Sequence, residues 1–153
     1  MGFNQRSVQR AMWAVIEAAA LNQKPDYTSV RAVIGISDPT TVFHQSGQLC
    51  ADVADSFKAQ YGERYRQRYQ EWPMLPNVIC ARGTDQPSYQ FDGWYTKACQ
   101  TVDGIDIEAG ENPADAVTAN RDGYVRRAQA CLHEFCGELV AERDRAARTA
   151  AHT

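Results

Sequence analysis

Thr40, Thr41, His44, Gln45 and Gln48 are polar side chains that fall early in one predicted helix. Side chains of this kind hydrogen-bond to the edges of DNA bases. Glutamine can bond adenine in bidentate fashion, and threonine can touch a thymine methyl group or a phosphate. Reading a major groove requires such residues to stand outward while apolar residues behind them lock the helix in place, a role that Val42 and Phe43 fill. Arg6, Arg10 and Arg31 are the cations expected to grip the sugar-phosphate backbone. The alternative is that the same short helices simply pack into a bundle without meeting nucleic acid.

The elements that must hold these residues follow from periodicity and turn chemistry. Val8, Met12, Val15, Ile16 and Ala19 share one face of a 3.6-residue period, which predicts a helix from about Gln5 to Asn22. Asn22-Gln23-Lys24-Pro25 ends it. Thr28 is the expected cap of a short helix, Ser29 to Ile34, and Gly35 supplies a left-handed exit. Ser37 or Asp38 then caps a third helix, with Pro39 in the first turn where its missing N–H costs nothing. Two short helices joined by a glycine-containing turn form a helix-turn-helix. The third helix is expected to break near Ser46-Gly47, resume, and stop at Trp72 before Pro73 and Pro76.

The run PDYTSVRAVIGISDPTTV, Pro25 to Val42, resembles the N-terminal DNA-binding domain of KfrA-type plasmid proteins. The resemblance rests on Pro25, Val30-Arg31, Ile34-Gly35 and Pro39-Thr40-Thr41-Val42, which follow without a gap. The alanine-rich AVIEAAALNQ of the preceding helix also fits. Asp38 stands where that family usually has serine, and Cys, Trp and Pro replace its long charged coiled coil. The resemblance implies a sequence-specific DNA-binding regulator of a plasmid or other mobile element, and it covers only about the first 50 residues.

A second constellation is KAQYGERYRQRYQEW, Lys58 to Trp72. Tyr61, Arg64, Tyr65, Arg68, Tyr69 and Trp72 could form a partner or dimer interface, since Tyr, Trp and Arg dominate binding hot spots. They could instead stack bases and hold phosphates. The third reading is an amphipathic helix that buries its tyrosines and leaves its arginines wet.

Metal and catalytic chemistry find little to work with. In CLHEFC, a helix would turn Cys131 and Cys136 about 140° apart and His133 about 160° from Cys131, so they cannot clasp one zinc ion. Cys80 and Cys99 offer no CxxC pair. No Gly-rich phosphate loop, GxSxG or HExxH is present. We therefore expect a non-enzymatic protein with no cofactor, no metal site and cysteines that act as small apolar residues. Asp103, Asp106, Glu108, Glu111 and Asp115 cluster in a predicted loop that is either solvated or arranged to meet a basic protein.

The remaining signals are coarser. Asn77 to Ala81 is expected to pair with Ser88 to Phe91 as a hairpin; from Gly93 a short helix is expected, and GIDIE is a brief extended piece. Asn112 and Pro113 open a last helix running to about Arg148, with a weak point at Asp122-Gly123 and an apolar stripe of Tyr124, Ala128, Cys131, Leu132, Phe135 and Leu139. The fold expected is mainly α, a three-helix helix-turn-helix followed by long helices, with an irregular or hairpin-containing middle. Residues 1–50 would form the DNA-reading part and 51–153 a helical interaction region, possible also as one compact domain.

The 153 residues are 44% hydrophobic and 23% charged, which excludes wholesale disorder. No stretch is long and apolar enough for a membrane span, the start lacks the apolar core of a signal peptide, and five cysteines form no disulfide framework. A cytoplasmic protein with reduced thiols is expected. The net charge of −3 argues against a non-specific nucleic-acid coat; the part through Trp72 carries +1 and the remainder −4. Two functions follow as expectations: a dimeric regulator bound to double-stranded DNA, or a small acidic protein-binding factor, such as a phage or plasmid inhibitor or assembly subunit.

Overall fold

The computed structural model describes residues 4–33, 35, 42–80, 83–84, 87 and 121–151, with side chains described from Gln48 in the third helix and from Val125 in the last. It is mainly helical: α1 (Gln5–Ala20), α2 (Tyr27–Val33), α3 (Val42–Tyr69) and α4 (Arg121–Ala151), with a 3-10 turn at Leu75–Val78. No strand occurs among the described residues.

α1 begins where Asn4 caps it, its Oδ1 accepting the Ser7 N–H at 2.9 Å. Val8, Ala11, Met12, Val15, Ile16 and Ala19 are all buried, as the period requires. Asn22 closes the helix in the left-handed region at φ 56°. The Gln23 N–H reaches the Ala18 carbonyl at 2.8 Å and the Asn22 N–H reaches Ala19 at 2.9 Å, a Schellman closure that satisfies the last carbonyls.

α2 is capped by Asp26, not Thr28. The Asp26 carboxylate accepts the Ser29 N–H at 2.7 Å, so the helix starts at Tyr27. Gly35 supplies the left-handed exit at φ 82°, as expected. The predicted caps of the next helix, Ser37, Asp38 and Pro39, lie outside the described residues.

α3 corrects the expected break: it is one helix from Val42 to Tyr69 and passes through Gly47 and Gly62. A glycine costs about 1 kcal/mol relative to alanine, less than the burial of Leu49, Cys50, Val53, Phe57 and Tyr65 gives back on the same helix. Its end also differs. Gln70 turns left-handed at φ 61° and donates its N–H to the Arg66 carbonyl at 2.7 Å, so the helix stops before Trp72 and before either proline.

The chain then folds back. Leu75–Val78 makes a 3-10 turn with Pro76 at its start, so Asn77 and Val78 are not the extended residues expected. Cys80 forms an isolated antiparallel bridge with Pro87, close to the predicted pairing; Ser88 to Phe91 lie outside the described residues. The expected helix from Gly93, the GIDIE segment, the acidic cluster and the Asn112-Pro113 start also lie outside them. α4 runs through Asp122-Gly123 without a break and buries Val125, Ala128, Leu132, Phe135, Cys136 and Leu139.

Side-chain pairs fix the directions. Gln9 meets Ser56, Met12 meets Gln60, and Trp13 stands edge-on to Tyr61, so α1 and α3 run parallel. Arg64 meets Glu142 and Arg68 meets Glu138 and Glu134, so α4 runs antiparallel to α3. Between them Phe135 is ringed by Phe57, Tyr65 and Tyr69 at centroid distances of 6.0, 5.2 and 6.4 Å. One buried cluster draws on all four helices and the 3-10 turn.

Candidate nucleic-acid interface

The register of these contacts places the start of α3. Each α3 residue lies beside the α1 residue 47 or 48 positions earlier. Gln5, the first residue of α1, therefore stands level with α3 near Val53. The Arg64–Glu142 pair likewise brings the end of α4 at Ala151 level with Asp55. The turns of α3 from Val42 to Cys50 thus extend past the described ends of both neighbours. Leu49 and Cys50 are buried on one side of this extension, while Gln48 is exposed on another.

Of the expected base-contacting residues, Gln48 is fully described. Its amide nitrogen donates to the Asp52 carboxylate at 2.8 Å one turn on, which leaves its carbonyl oxygen directed elsewhere. His44 and Gln45 lie within α3, but their side chains are outside the described set, and Thr40 and Thr41 are outside it altogether. Arg6 and Arg10 are exposed on α1, level by the same register with Val53 and Phe57 of α3, and neither forms an ion pair among the described residues.

Arg31 departs from expectation. It is 5% exposed, and its guanidinium turns back on its own helix: Nε donates to the Tyr27 carbonyl and Nη2 to the Thr28 hydroxyl, both at 3.1 Å. A side chain so enclosed ties α2 together and does not reach out to a phosphate.

The tyrosine–arginine face, expected as a partner interface, makes contacts within its own chain. Tyr65 is 1% exposed and belongs to the core; Tyr61 and Tyr69 pack against that core. The Tyr69 hydroxyl donates to Glu134 at 2.8 Å. Burial and this acceptor both push the Tyr69 phenol up from its usual range, and burial does the same to Tyr65. Arg64 makes a two-point contact with Glu142, and Arg68 reaches Glu138 and Glu134. Trp72 lies back on α3 between the Lys58 ammonium, 4.7 Å from the ring centroid, and the Arg66 guanidinium at 5.1 Å. The six residues assigned to a partner, Tyr61, Arg64, Tyr65, Arg68, Tyr69 and Trp72, thus meet groups of their own chain.

Glu134, Glu138 and Glu142 recur every four residues, the same step as Arg64 and Arg68. That matching ladder was visible in the two segments, but reading each helix alone left the arginines free. CLHEFC lies within one uninterrupted helix. Cys136 is buried, and the His133 Nδ1–H donates to the Ala19 carbonyl at 2.8 Å, pinning α4 to the end of α1.

Acids flank the proposed reading end. Asp52 and Asp55 line an open groove of about 420 Å³ between α1 and α3, together with Gln5, Val8, Ser56, Ala59 and Gln60. Among the described residues no helix is long and apolar enough to cross a membrane. Compared with known proteins, the chain matches no family model and finds no significant match among curated proteins or solved structures.

Proposed function

We propose that the chain is a non-enzymatic, sequence-specific DNA-binding protein that lays the first turns of α3 in a major groove. The observation that carries this reading is the extension of α3 past the described ends of α1 and α4, with Gln48 exposed on it; Arg6 and Arg10, unpaired among the described residues, stand farther along, level with Val53 and Phe57. A projecting helix start can enter a groove about 12 Å wide, and flanking cations can hold the phosphates on either side. Thr40, Thr41, His44 and Gln45 would complete the reading edge, and a homodimer would read two half-sites. A regulator of a plasmid or other mobile element is the role that the KfrA-like run favours. The test is selection from a random duplex pool followed by titration of the enriched sequence. Enrichment of one motif, lost in Thr41→Ala/Gln45→Ala with the fold intact, supports the reading. A pool that stays random defeats it.

A second reading rests on Asp52 and Asp55. Two carboxylates beside the exposed end repel phosphate and suit a basic protein surface instead. The chain would then be a protein-binding factor, an inhibitor or assembly subunit. Retention of a stoichiometric protein partner that Asp52→Asn/Asp55→Asn fails to hold would favour it over DNA binding.

A further inference from the structure

Glu71 is the second residue beyond the end of α3, and its side chain is wholly enclosed. Among the described residues neither carboxylate oxygen has a hydrogen-bond partner. The cation nearest to it is Arg127 of α4, with Nη1 3.8 Å from Oε2, and that side chain is 43% exposed. Among the described residues the other groups that face the Glu71 carboxyl are Cys131 of α4 and Tyr65 of α3, with Tyr69 and Glu134 next to these; none of these supplies positive charge. A carboxylate without donors, out of water and opposite one half-solvated cation is unfavourable; the protonated acid suits the same place far better.

We infer that Glu71 is a proton-gated latch that fixes the segment from Gln70 to Cys80 against α4, closed while its carboxyl holds a proton and loosened when it ionises. Other ties act beside it: Leu75, Val78 and Ile79 are buried in the core, Trp72 rests on α3, and Cys80 bridges to Pro87. The Ile79 N–H closes the 3-10 turn on Pro76, the Cys80 N–H reaches the Pro25 carbonyl at 3.0 Å, and the Gln129 amide reaches the Asn77 carbonyl at 3.2 Å. The Asn77 side-chain amide is buried without a partner among the described residues. Burial raises the proton affinity of Glu71, and Arg127 lowers it in part. The folded chain therefore binds a proton that the unfolded chain has released at the same pH. The latch is firm at the acid side and weakens as pH rises through the raised value.

Amide hydrogen exchange at Ile79 and Cys80, expressed as protection relative to an unstructured chain, tests this between pH 5 and pH 8. Protection at these two amides should fall as pH rises from the ordinary carboxylate value to the raised one, by at most about tenfold per unit of pH, and level off above it. Protection at Val15 and Ile16 in α1 should stay level. In Glu71→Gln the fall should vanish, and in Arg127→Gln it should shift to higher pH, because the cation that favours ionisation is gone. The inference is overturned if Ile79 and Cys80 lose protection in step with α1, or if Glu71→Gln keeps the wild-type profile. Should Glu71→Gln not fold, an unshifted profile in Arg127→Gln overturns it equally.

Discussion

Gly62 lies directly beneath the ring of Trp72: a Cβ at position 62 would stand 3.2 and 3.3 Å from two ring carbons and 3.1 Å from Lys58 Cγ. The contact exists because Gln70 turns left-handed and sends the chain back along α3. Glycine in a helix interior loses about 1 kcal/mol against alanine, and here the missing side chain makes room for an indole. Gly62→Ala should gain little or lose stability in the wild-type chain, since the ring must move by a few tenths of an ångström. In a Trp72→Ala background the same change should stabilise by about 1 kcal/mol. Urea unfolding of the four-member cycle measures this. Equal effects of Gly62→Ala in both backgrounds would show that the ring does not rest there.

The Arg64–Glu142 pair makes a prediction about acid. The Arg64 hydrogen bond holds the Glu142 carboxyl below the usual carboxylate range. A depressed folded value contributes stability that is present above the unfolded value and lost as pH falls through the folded one. The pair is half exposed, with side-chain exposures of 46% and 42%, so its coupling should be about 0.2–1 kcal/mol and should shrink at 1 M salt. A double-mutant cycle with Arg64→Ala and Glu142→Ala at pH 7 should return that coupling. Repeated near pH 3, it should return much less, and a pH-independent coupling would exclude the ion pair as its source.

Thiol chemistry separates the cysteines. Burial pushes Cys50 and Cys136 up to about 12, so neither carries useful thiolate at pH 8. Cys131 is half-buried and raised for the same reason, with the nearby Glu71 charge adding to it. A thiol reagent at pH 8 should leave Cys50 and Cys136 unlabelled in the native protein and label both on denaturation, with Cys131 intermediate. Mass spectrometry of the labelled peptides gives the order. Rapid native labelling of Cys136 would contradict its place in the buried core.

Much of this fold was legible in the residues because the signals are local. The apolar period of Val8 to Ala19, the left-handed Gly35 and the stripe from Ala128 to Leu139 each declare a helix or its end within a few positions. Gln70 did not declare itself, since a non-glycine residue in the left-handed region carries no compositional mark, and so the helix was drawn to Trp72. The candidate site suffered more. Whether Arg31, Arg64 and Arg68 face water or their own chain depends on what packs opposite. For Arg64 and Arg68 the answer lies more than 60 residues away in Glu134, Glu138 and Glu142. Arg31 is a separate case: it bonds within its own helix, to Tyr27 and Thr28, and i,i+3 and i,i+4 spacings had made that available to reading.

That difference among the arginines gives the sharpest prediction about DNA. Arg6 and Arg10 are exposed and unpaired among the described residues, so each should neutralise one phosphate in a complex. Counterion release then requires that removing either lowers the slope of log K against log salt by about 1, and removing both by about 2. Affinity should fall for every sequence alike, because phosphates carry no base identity. Arg31→Ala should behave otherwise. It deletes two hydrogen bonds inside α2, so it should lower the unfolding midpoint and leave the salt slope of the folded fraction unchanged. Anisotropy titrations from 50 to about 200 mM salt, run beside thermal melts, separate the two behaviours. A salt slope that drops with Arg31→Ala while the melt stays put would return Arg31 to the phosphate-gripping set and require α2 to open on binding.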